Sequence, residues 1–541
     1  MRTSRFLGVS VLTVALAAGL GGVMGKSAQA TQDRLPAHYK AFTAALAAIE
    51  SDYAEPVESD RLVYGAINGM LQTLDPHSSF MDPRTYAQMR ERQEQRYYGL
   101  GITIQSVDRQ ITVVRVFEGS PAHQKGLRRG DVIAKAADED LIGWTTEQAV
   151  TKLRGPKGTF VNISIKRNGI DDLLVMDVMR DQVTIPSIPA HFITRGDVGF
   201  IRLEDFAEHT DDELGDALED LRAQGARRLV LDLRGNPGGQ LDQAIRVANR
   251  FLPRGDLIVY TRGRVDNADE DYRATRQSEF LDQPMVVMVN RNSASASEIV
   301  SGALQDHDRA LVAGETTFGK ALVQSVYRVS QGAGLALTTA RYFTPSGRMI
   351  QRPWDGAFDE YLTYTMRDQA AREHTAEEMK LTSAGRKVYS GGGIEPDERF
   401  DGPVEGFNPT RFGRSLFARQ LFAGYAERFY AEGDTRPGSR GNGRRAVAKD
   451  FAVDDAMVAE FKEYVASRRM KIDQAAWTQD QAFIRAMIRF EIDAAVFGMG
   501  VARRRLLDVD PQAQHALSLF PQAEKLLTLA KTRTSRTAGG E

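Results

Sequence analysis

The 541-residue sequence predicts an α/β domain joined to an inserted, β-rich module, with helical N- and C-terminal regions. Two stretches predict this. Residues 181–400 alternate continuous apolar runs with amphipathic ones: Arg228–Leu233, a helix over Leu241–Phe251, Pro284–Val289, a helix over Ser297–Gln305, then Ala310–Ala313. Strand–helix–strand alternation implies parallel pairing through right-handed crossovers. Residues 97–180 carry short β-type runs instead, at Ile102–Ile104, Ile111–Val114 and Val161–Ile165, with glycine-bearing turns and one amphipathic helix over Thr146–Leu153.

The flanks follow from periodicity. Arg2 and Arg5 precede an uncharged stretch over Phe6–Gly25, and Ser27-Ala28-Gln29-Ala30 supplies a small-residue cleavage pattern. Residues 1–30 therefore read as a signal peptide that directs export to a periplasm, with a retained membrane anchor as the alternative. Residues 31–96 are expected to be helical, from Phe42, Leu46 and Ile49 and then Leu62, Ala66 and Met70 at three- and four-residue spacing. Asp75-Pro76-His77-Ser78 and Asp82-Pro83 are turn signals. Residues 401–541 are expected to be a charged helical region, with amphipathic stretches at Phe451–Ala466 and Trp477–Phe497, a Gly/Arg-rich linker at Gly438–Arg445 and disorder beyond Arg533.

Composition narrows the chemistry. Formal net charge is −2, so no basic field points to nucleic acid. The absence of cysteine removes thiol nucleophiles, disulfides and thiolate metal sites. No pattern implies a metal or cofactor.

In parallel α/β units, ligand sites lie beyond the carboxyl ends of the strands. Two loops qualify: Arg234–Gly239 and Asn290–Ser297. In the second, Ser295 stands at a strand-to-helix junction, where free backbone N–H groups and the helix dipole favour an oxyanion. Ser295-x-x-Glu298 is also the spacing of a capping box, and on these residues alone both readings stand. A nucleophilic serine needs a base. His307 lies about 15 Å away along the intervening helix, at 1.5 Å per residue, which argues against it. Lys320, in Thr317-Phe318-Gly319-Lys320, follows the next strand and can return to the serine loop. As a base near pH 7 its pKa must fall from about 10.4, roughly 4–5 kcal/mol, by burial against neighbours such as Phe318, Ala321 and Leu322. If Ala321–Val329 is a strand, positions 320, 322 and 324 share a face, and Gln324 is placed to orient the amine. Arg234-Gly235-Asn236-Pro237-Gly238-Gly239 is a strand-to-helix turn whose glycines allow close backbone approach, and no Walker pattern follows it.

Together these segments resemble the C-terminal processing (tail-specific) peptidases, PDZ-containing serine proteases with a Ser-Lys dyad. The shared motifs are Ser293-Ala294-Ser295-Ala296-Ser297-Glu298, Thr317-Phe318-Gly319-Lys320 with Gln324, Asp232–Gly239, Asp308-Arg309-Ala310 and Tyr342–Arg348. The resemblance as a whole spans roughly residues 35–400. The resemblance implies a ClpP/crotonase-like spiral for residues 181–400, Ser295 as nucleophile, Lys320 as general base and Gln324 positioning it. It implies the amides of Gly239 and Ala296 as the oxyanion hole and a supporting place for Asp306. Residues 97–180 resemble the family's PDZ domain, with Gly99, Leu100, Gly101 and Ile102 as its carboxylate-binding loop; consecutive amides there capture a chain end while the peptide adds to a sheet edge. Arg154 matches a position that couples this domain to the active site.

The sequence departs from the pattern at Ala321, where the family usually has glycine, and over Ala134–Asp138, where a more apolar strand is usual. An alanine forced to positive φ would be strained. The implied function is serine endopeptidase action at or near the C-termini of exported polypeptides. The implied partners are substrates with free C-termini, an adaptor or activator protein, and a second copy through the helical flanks. The alternative is a PDZ scaffold on a silent protease fold.

Overall fold

The computed structural model describes residues 35–538, apart from residues 95, 168–169, 277, 279, 330–331, 355–360, 362, 367–371, 401–408, 433–446 and 449. The leader over residues 1–30 and the linker at Gly438–Arg445 lie outside the described residues. The chain divides into two compact units, residues 1–82 and 83–541.

In the first unit, helices Leu35–Asp52 and Ser59–Gln72 are followed by a turn and the short strand Ser79–Met81. The Asp75 carboxylate makes the turn, accepting from the N–H groups of His77 and Ser78 (both 2.8 Å) and from Ser78 Oγ (2.6 Å). Helix Leu35–Asp52 buries none of its side chains, so Phe42 and Ile49 stay exposed.

The second unit opens with helix Pro83–Gln93 and the β-rich module. Its antiparallel sheet runs Ile102–Val107, Gln110–Val116, Val132–Ala136, Phe160–Lys166, Leu174–Met179, which leaves Ile102–Val107 at one edge. Helix Thr146–Leu153 starts with a complete capping box between Thr145 and Gln148. Over Ala134–Asp138 the strand continues to Ala136, with a register shift against Phe160–Lys166 between Ile133 and Lys135. Ala137 (φ 50°) and Asp138 (φ 67°) turn the chain into Glu139–Asp140.

The α/β domain is built on six strands in the order Ala190–Ile193, Val198–Arg202, Arg228–Asp232, Met285–Val289, Leu311–Gly314, Glu398–Arg399. All neighbours are parallel except the first pair. The apolar runs have no polar face because both faces are covered. Leu229, Leu231, Met285, Val287 and Val289 point to one side, against Leu241–Asn249 and Ala296–Asp306. Val230, Val286 and Met288 alternate to the other, against Leu507, Ala513, Leu519, Phe520 and Leu526. A second antiparallel sheet pairs Leu257–Gly263 with Glu270–Arg273 and Gly334–Phe343, and Gly334–Phe343 with Leu322–Arg328.

The C-terminal region is therefore part of the domain rather than a tail. Helices Met499–Val509, Pro511–Ser518 and Phe520–Ala538 supply the second cover of the central sheet. The last helix continues past Arg533, where composition suggested disorder. Helices Arg411–Ala418 to Gln481–Val496 form their own core around Phe422, Phe461, Trp477 and Ile488. That bundle meets the β-rich module, where Arg129 Nη2 lies 3.1 Å from Gln420 Oε1 and Arg129 pairs with the buried Glu491. Among the described residues no helix is long and apolar enough to cross a membrane.

Phe520 is 1% exposed beneath the sheet. Phe520→Ala is expected to destabilise the α/β domain by about 3–5 kcal/mol, the usual result for a fully buried aromatic. The urea midpoint of that domain measures it; an unchanged midpoint would mean that the last helices cover nothing essential.

Candidate active site

Strands Arg228–Asp232 and Met285–Val289 are parallel neighbours, so the loops leaving them lie side by side. Short polar side chains knit the two together. Asn290 Oδ1 accepts from Gly235 N (2.8 Å), and Ser293 Oγ donates to the Leu233 carbonyl (2.8 Å). The Asn236 carbonyl accepts from Ala294 N (3.1 Å) and Ser297 Oγ (2.9 Å). Asn236 is fully buried; its Oδ1 accepts from Gly238 N (2.8 Å) and its Nδ2 donates to the Leu203 carbonyl (3.0 Å). Ser293 and Ser297 are thus buried and committed to main-chain carbonyls, whereas Ser295 between them is partly exposed.

Ser295 adopts φ 53°, ψ −112°, a conformation that L-residues avoid. Such strain puts a side chain at the apex of a sharp strand-to-helix turn, as in nucleophile elbows. It sits at the N-terminus of Ala296–Asp306, and the Ala296 N–H makes no hydrogen bond among the described residues. Nor does the N–H of Gly239. A Cβ on Gly238 would stand 2.8 Å from both Ala296 N and Ser295 Cβ, so only glycine lets the two loops approach this closely. A Cβ on Gly239 would fall 2.0 Å from the Phe206 carbonyl oxygen.

Glu298 does more than cap its helix. Its Oε2 accepts from the N–H groups of both Ser295 (2.8 Å) and Lys320 (2.9 Å). Oε1 accepts from Thr317 Oγ1 (2.5 Å) and Gly319 N (2.6 Å). One carboxylate therefore joins the backbone of the serine to that of the lysine. Tyr342 adds a second tie, its hydroxyl lying 2.5 Å from the Lys320 carbonyl and 3.2 Å from that of Ser295. Burial pushes the Glu298 carboxyl up to about 7 against the pull of its four donors, and it pushes the Tyr342 phenol well up as well. Sequence reasoning saw Glu298 as a capping partner and missed this clamp, whose other partners lie far along the chain.

The lysine loop is held from outside too. Arg352 donates Nε to the Phe318 carbonyl (2.8 Å) and stacks on Tyr364 at 3.5 Å, while Phe318 packs edge-on against Tyr361. The positive φ in this turn belongs to Gly319 (88°), not to Ala321. Ala321 is buried without strain and donates its N–H to Gln351 Oε1 (2.8 Å).

Other expected residues have different surroundings. The strand begins at Leu322, and its register with Gly334–Phe343 shifts between Val323 and Gln324, so simple alternation from residue 320 to 324 breaks. Gln324 Nε2 lies 3.2 Å from Thr338 Oγ1 on the paired strand. Asp306 is buried, paired with the fully buried Arg348 and accepting from Ser346 N (2.9 Å), which anchors the turn after Tyr342. His307 Nε2 is 2.6 Å from the Leu257 carbonyl, at the far end of the serine helix.

In the β-rich module, the carbonyls of Leu100 and Gly101 accept from Ala122 N (2.8 Å) and Phe117 N (3.0 Å); the Leu100 N–H has no acceptor among the described residues, while the Gly101 N–H faces the Tyr97 hydroxyl. Gly101 needs its φ of 82°, because a Cβ there would meet Ser120 Cβ at 2.1 Å. Gly99 and Ile102 end and begin the adjoining strands, Ile102 opening the edge strand. Arg154 stacks on Tyr97 (4.6 Å) and pairs with Glu91 of helix Pro83–Gln93.

A serine at a strained turn, tied to a lysine beyond a parallel sheet, together with a β module whose edge strand adjoins a glycine-bearing loop, defines a serine-type peptidase with a peptide-binding domain. Family models agree: residues 197–356 match peptidase family S41, residues 88–166 the PDZ domain, and residues 17–85 the N-terminal domain of the activating protease CtpB. A carboxy-terminal-processing protease of Bartonella bacilliformis is 40% identical over 307 residues, 56% of this chain and 70% of that protein. The carboxy-terminal processing protease CtpA of Bacillus subtilis is 32% identical over 335 residues, 62% and 70% of the two chains. A carboxyl-terminal-processing protease of Synechocystis sp. is 37% identical over 303 residues, 55% and 70%. The chain belongs to the carboxy-terminal processing proteases of peptidase family S41.

Glu298→Gln offers one carbonyl oxygen in place of two and turns an N–H₂ toward donors. It is expected to lower kcat at least about 100-fold, the scale seen when one preorganised polar group of a catalytic centre is lost. The carboxyl rises from 4.5 to about 7 on folding, so it favours the folded state fully below pH 4.5 and loses that contribution as pH climbs to 7. Wild type should thus lose roughly 3 kcal/mol relative to Glu298→Gln across that window, measured by urea unfolding at several pH values. A gap that does not change with pH would refute the titration.

Proposed function

We propose that Ser295 is the nucleophile and Lys320 the general base of an endopeptidase that cuts exported polypeptides at or near their C-termini. The observation that carries this is the shared Glu298 oxygen, which holds the main chains of Ser295 and Lys320 together beneath a partly exposed, strained serine. Ser295 Oγ attacks the scissile carbonyl carbon as the Lys320 amine takes its proton. The N–H groups of Gly239 and Ala296 receive the oxyanion. Collapse breaks the C–N bond, and Lys320 returns the proton to the leaving amine. Water, deprotonated by Lys320, then cleaves the acyl ester and restores Ser295. Gln324, steadied by Thr338, completes the lysine's surroundings on this reading.

Substrate selection is proposed to lie in residues 97–180. The N–H groups of Leu100 and Gly101, with Gly99 and Ile102 beside them, take the terminal carboxylate, and the peptide pairs with edge strand Ile102–Val107. Arg154 would couple this domain to the reaction. It pairs with Glu91, and two residues on, the Gln93 carbonyl accepts from Gln240 Nε2 (2.9 Å), next to Gly239.

Residues 1–30 are proposed to direct export, with residues 31–96, 181–400 and 401–541 as the N-terminal, protease and C-terminal regions. A homodimer through the helical flanks is supported by the unburied helix Leu35–Asp52, and an adaptor or activator protein completes the set of partners. Protein purified from the cell envelope should begin near residue 31 and sediment as a dimer. An intact membrane-bound N-terminus, or a monomer, would remove the corresponding part.

The deciding test is cleavage of an unfolded protein by residues 31–541, beside Ser295→Ala and Lys320→Ala. Wild type is expected to cleave, and each variant to lose at least about 1,000-fold in kcat while remaining folded. Retained activity in Lys320→Ala would make the base another group. Silence of the wild type with every candidate activator would leave a PDZ scaffold. A substrate with an amidated C-terminus should be cut more slowly than its free-acid form.

A further inference from the structure

Arg234 is the second residue after strand Arg228–Asp232 and the first of the glycine-bearing loop that ends at Gly239. Its guanidinium grips Asp232 through Nε (2.9 Å) and Nη2 (2.8 Å), and its own N–H reaches the same carboxylate (3.0 Å). Arg202 approaches Asp232 from the neighbouring strand (2.9 Å). Burial opposes ionisation of Asp232, but the two arginines hold its carboxyl at about 2.

The outer side of Arg234 is satisfied by the C-terminal region. Nη2 lies 2.7 Å from Asp510 Oδ2, and Nη1 lies 2.9 Å from Gln512 Oε1. The Asp510 carboxylate divides its oxygens between two tasks. Oδ1 accepts from Gln512 N (3.0 Å) and Ala513 N (3.3 Å) and so caps helix Pro511–Ser518. Oδ2 takes the arginine. Both side chains are largely buried, at 14% exposure each. The same helix is fixed to the sheet by Ala513 and Ala516, which pack with Met288 and Ala313.

We infer that Asp510 and Gln512 are positioning residues for the reaction: by clamping Arg234 from outside, they set the loop that carries the Gly239 amide. The loop's own backbone is permissive, since Gly235, Gly238 and Gly239 all adopt positive φ and four of its residues lie between Arg234 and Gly239. Its inner side is fixed by Asn290 and Asn236, and its outer end is fixed through Arg234. An arginine released from Asp510 keeps Asp232 but loses the contacts that define which way its fork faces. A small displacement of a preorganised amide lowers the rate without altering ground-state binding.

The inference rests on Gly239 as an oxyanion donor and Ser295 as nucleophile, and the experiment separates the two. Full-length protein without its leader is treated with a fluorophosphonate probe, and peptide hydrolysis is measured in parallel. Asp510→Asn keeps a cap oxygen for the helix but removes the charge and turns an N–H₂ toward Arg234. Gln512→Ala leaves the cap untouched and removes only the Nη1 contact. Asp510→Asn is expected to lower both acylation rate and kcat about tenfold, Gln512→Ala about threefold, with KM and affinity for a PDZ-binding peptide unchanged in both and the urea midpoint unchanged in Gln512→Ala. Asp510→Glu, which retains the charge, should recover part of the rate. Unchanged kcat in both variants overturns the inference, as does a loss of kcat that merely tracks a fall in the urea midpoint. Failure of the wild type itself to label at Ser295 overturns the nucleophile assignment instead.

Discussion

A buried carboxylate with four hydrogen-bond donors around it governs the geometry of this centre. Glu298 comes from the first turn of the serine helix, yet two of its four partners, Thr317 and Gly319, and a third, Lys320, come from the turn after the next strand. A charge in that position is unfavourable unless it is fully satisfied. Three backbone N–H groups and a hydroxyl satisfy it, and each of them belongs to the serine or lysine loop. The requirement to satisfy one ion thus fixes two loops against each other. Tyr342, also buried and also bonded to both residues, closes the arrangement from the second sheet.

That clamp makes the strain at Ser295 tolerable. A non-glycine residue at positive φ outside the left-handed helical region is unfavourable by about 1–3 kcal/mol and persists only where its surroundings over-determine it. Here they do. The Ser295 N–H is taken by Glu298, its carbonyl accepts from Glu298 N (2.8 Å) and Ile299 N (3.0 Å), and both neighbouring serines are bonded to the opposite loop. Of the three serines, Ser295 alone is partly exposed. Ser293 and Ser297 show why the motif needs serine three times: the outer two are small donors buried against carbonyls of the 233–236 loop, where a larger side chain has no room.

Much of this was legible in the sequence because it is local. Helix Thr146–Leu153 begins and ends where periodicity placed it, and the buried strands lie within a residue or two of their apolar runs. The motif residues Ser295, Gly239 and Ala296 stand together because the loops of adjacent parallel strands must. What was hidden is long-range. No spacing shows that Glu298 reaches Lys320, that Tyr342 returns to the serine, or that Gln324 follows a register shift that breaks the alternation of its strand. The C-terminal region was hidden for another reason: amphipathic helices declare an apolar face but not what the face covers.

The partner of that face explains the strands themselves. Val230, Val286 and Met288 would be an exposed apolar layer if only helices Leu241–Asn249 and Ala296–Asp306 covered the sheet. A parallel sheet of this composition requires a second cover. In this chain it comes from helices after residue 499, which also reach Arg234 through Asp510. The cover of the sheet and the setting of the glycine loop are therefore linked by position. The helices that bury the back of the sheet end where its carboxyl-side loops begin, so the residue that caps one helix stands within reach of the arginine that starts the glycine loop. The C-terminal region thus belongs to the same structural unit as the serine and lysine loops.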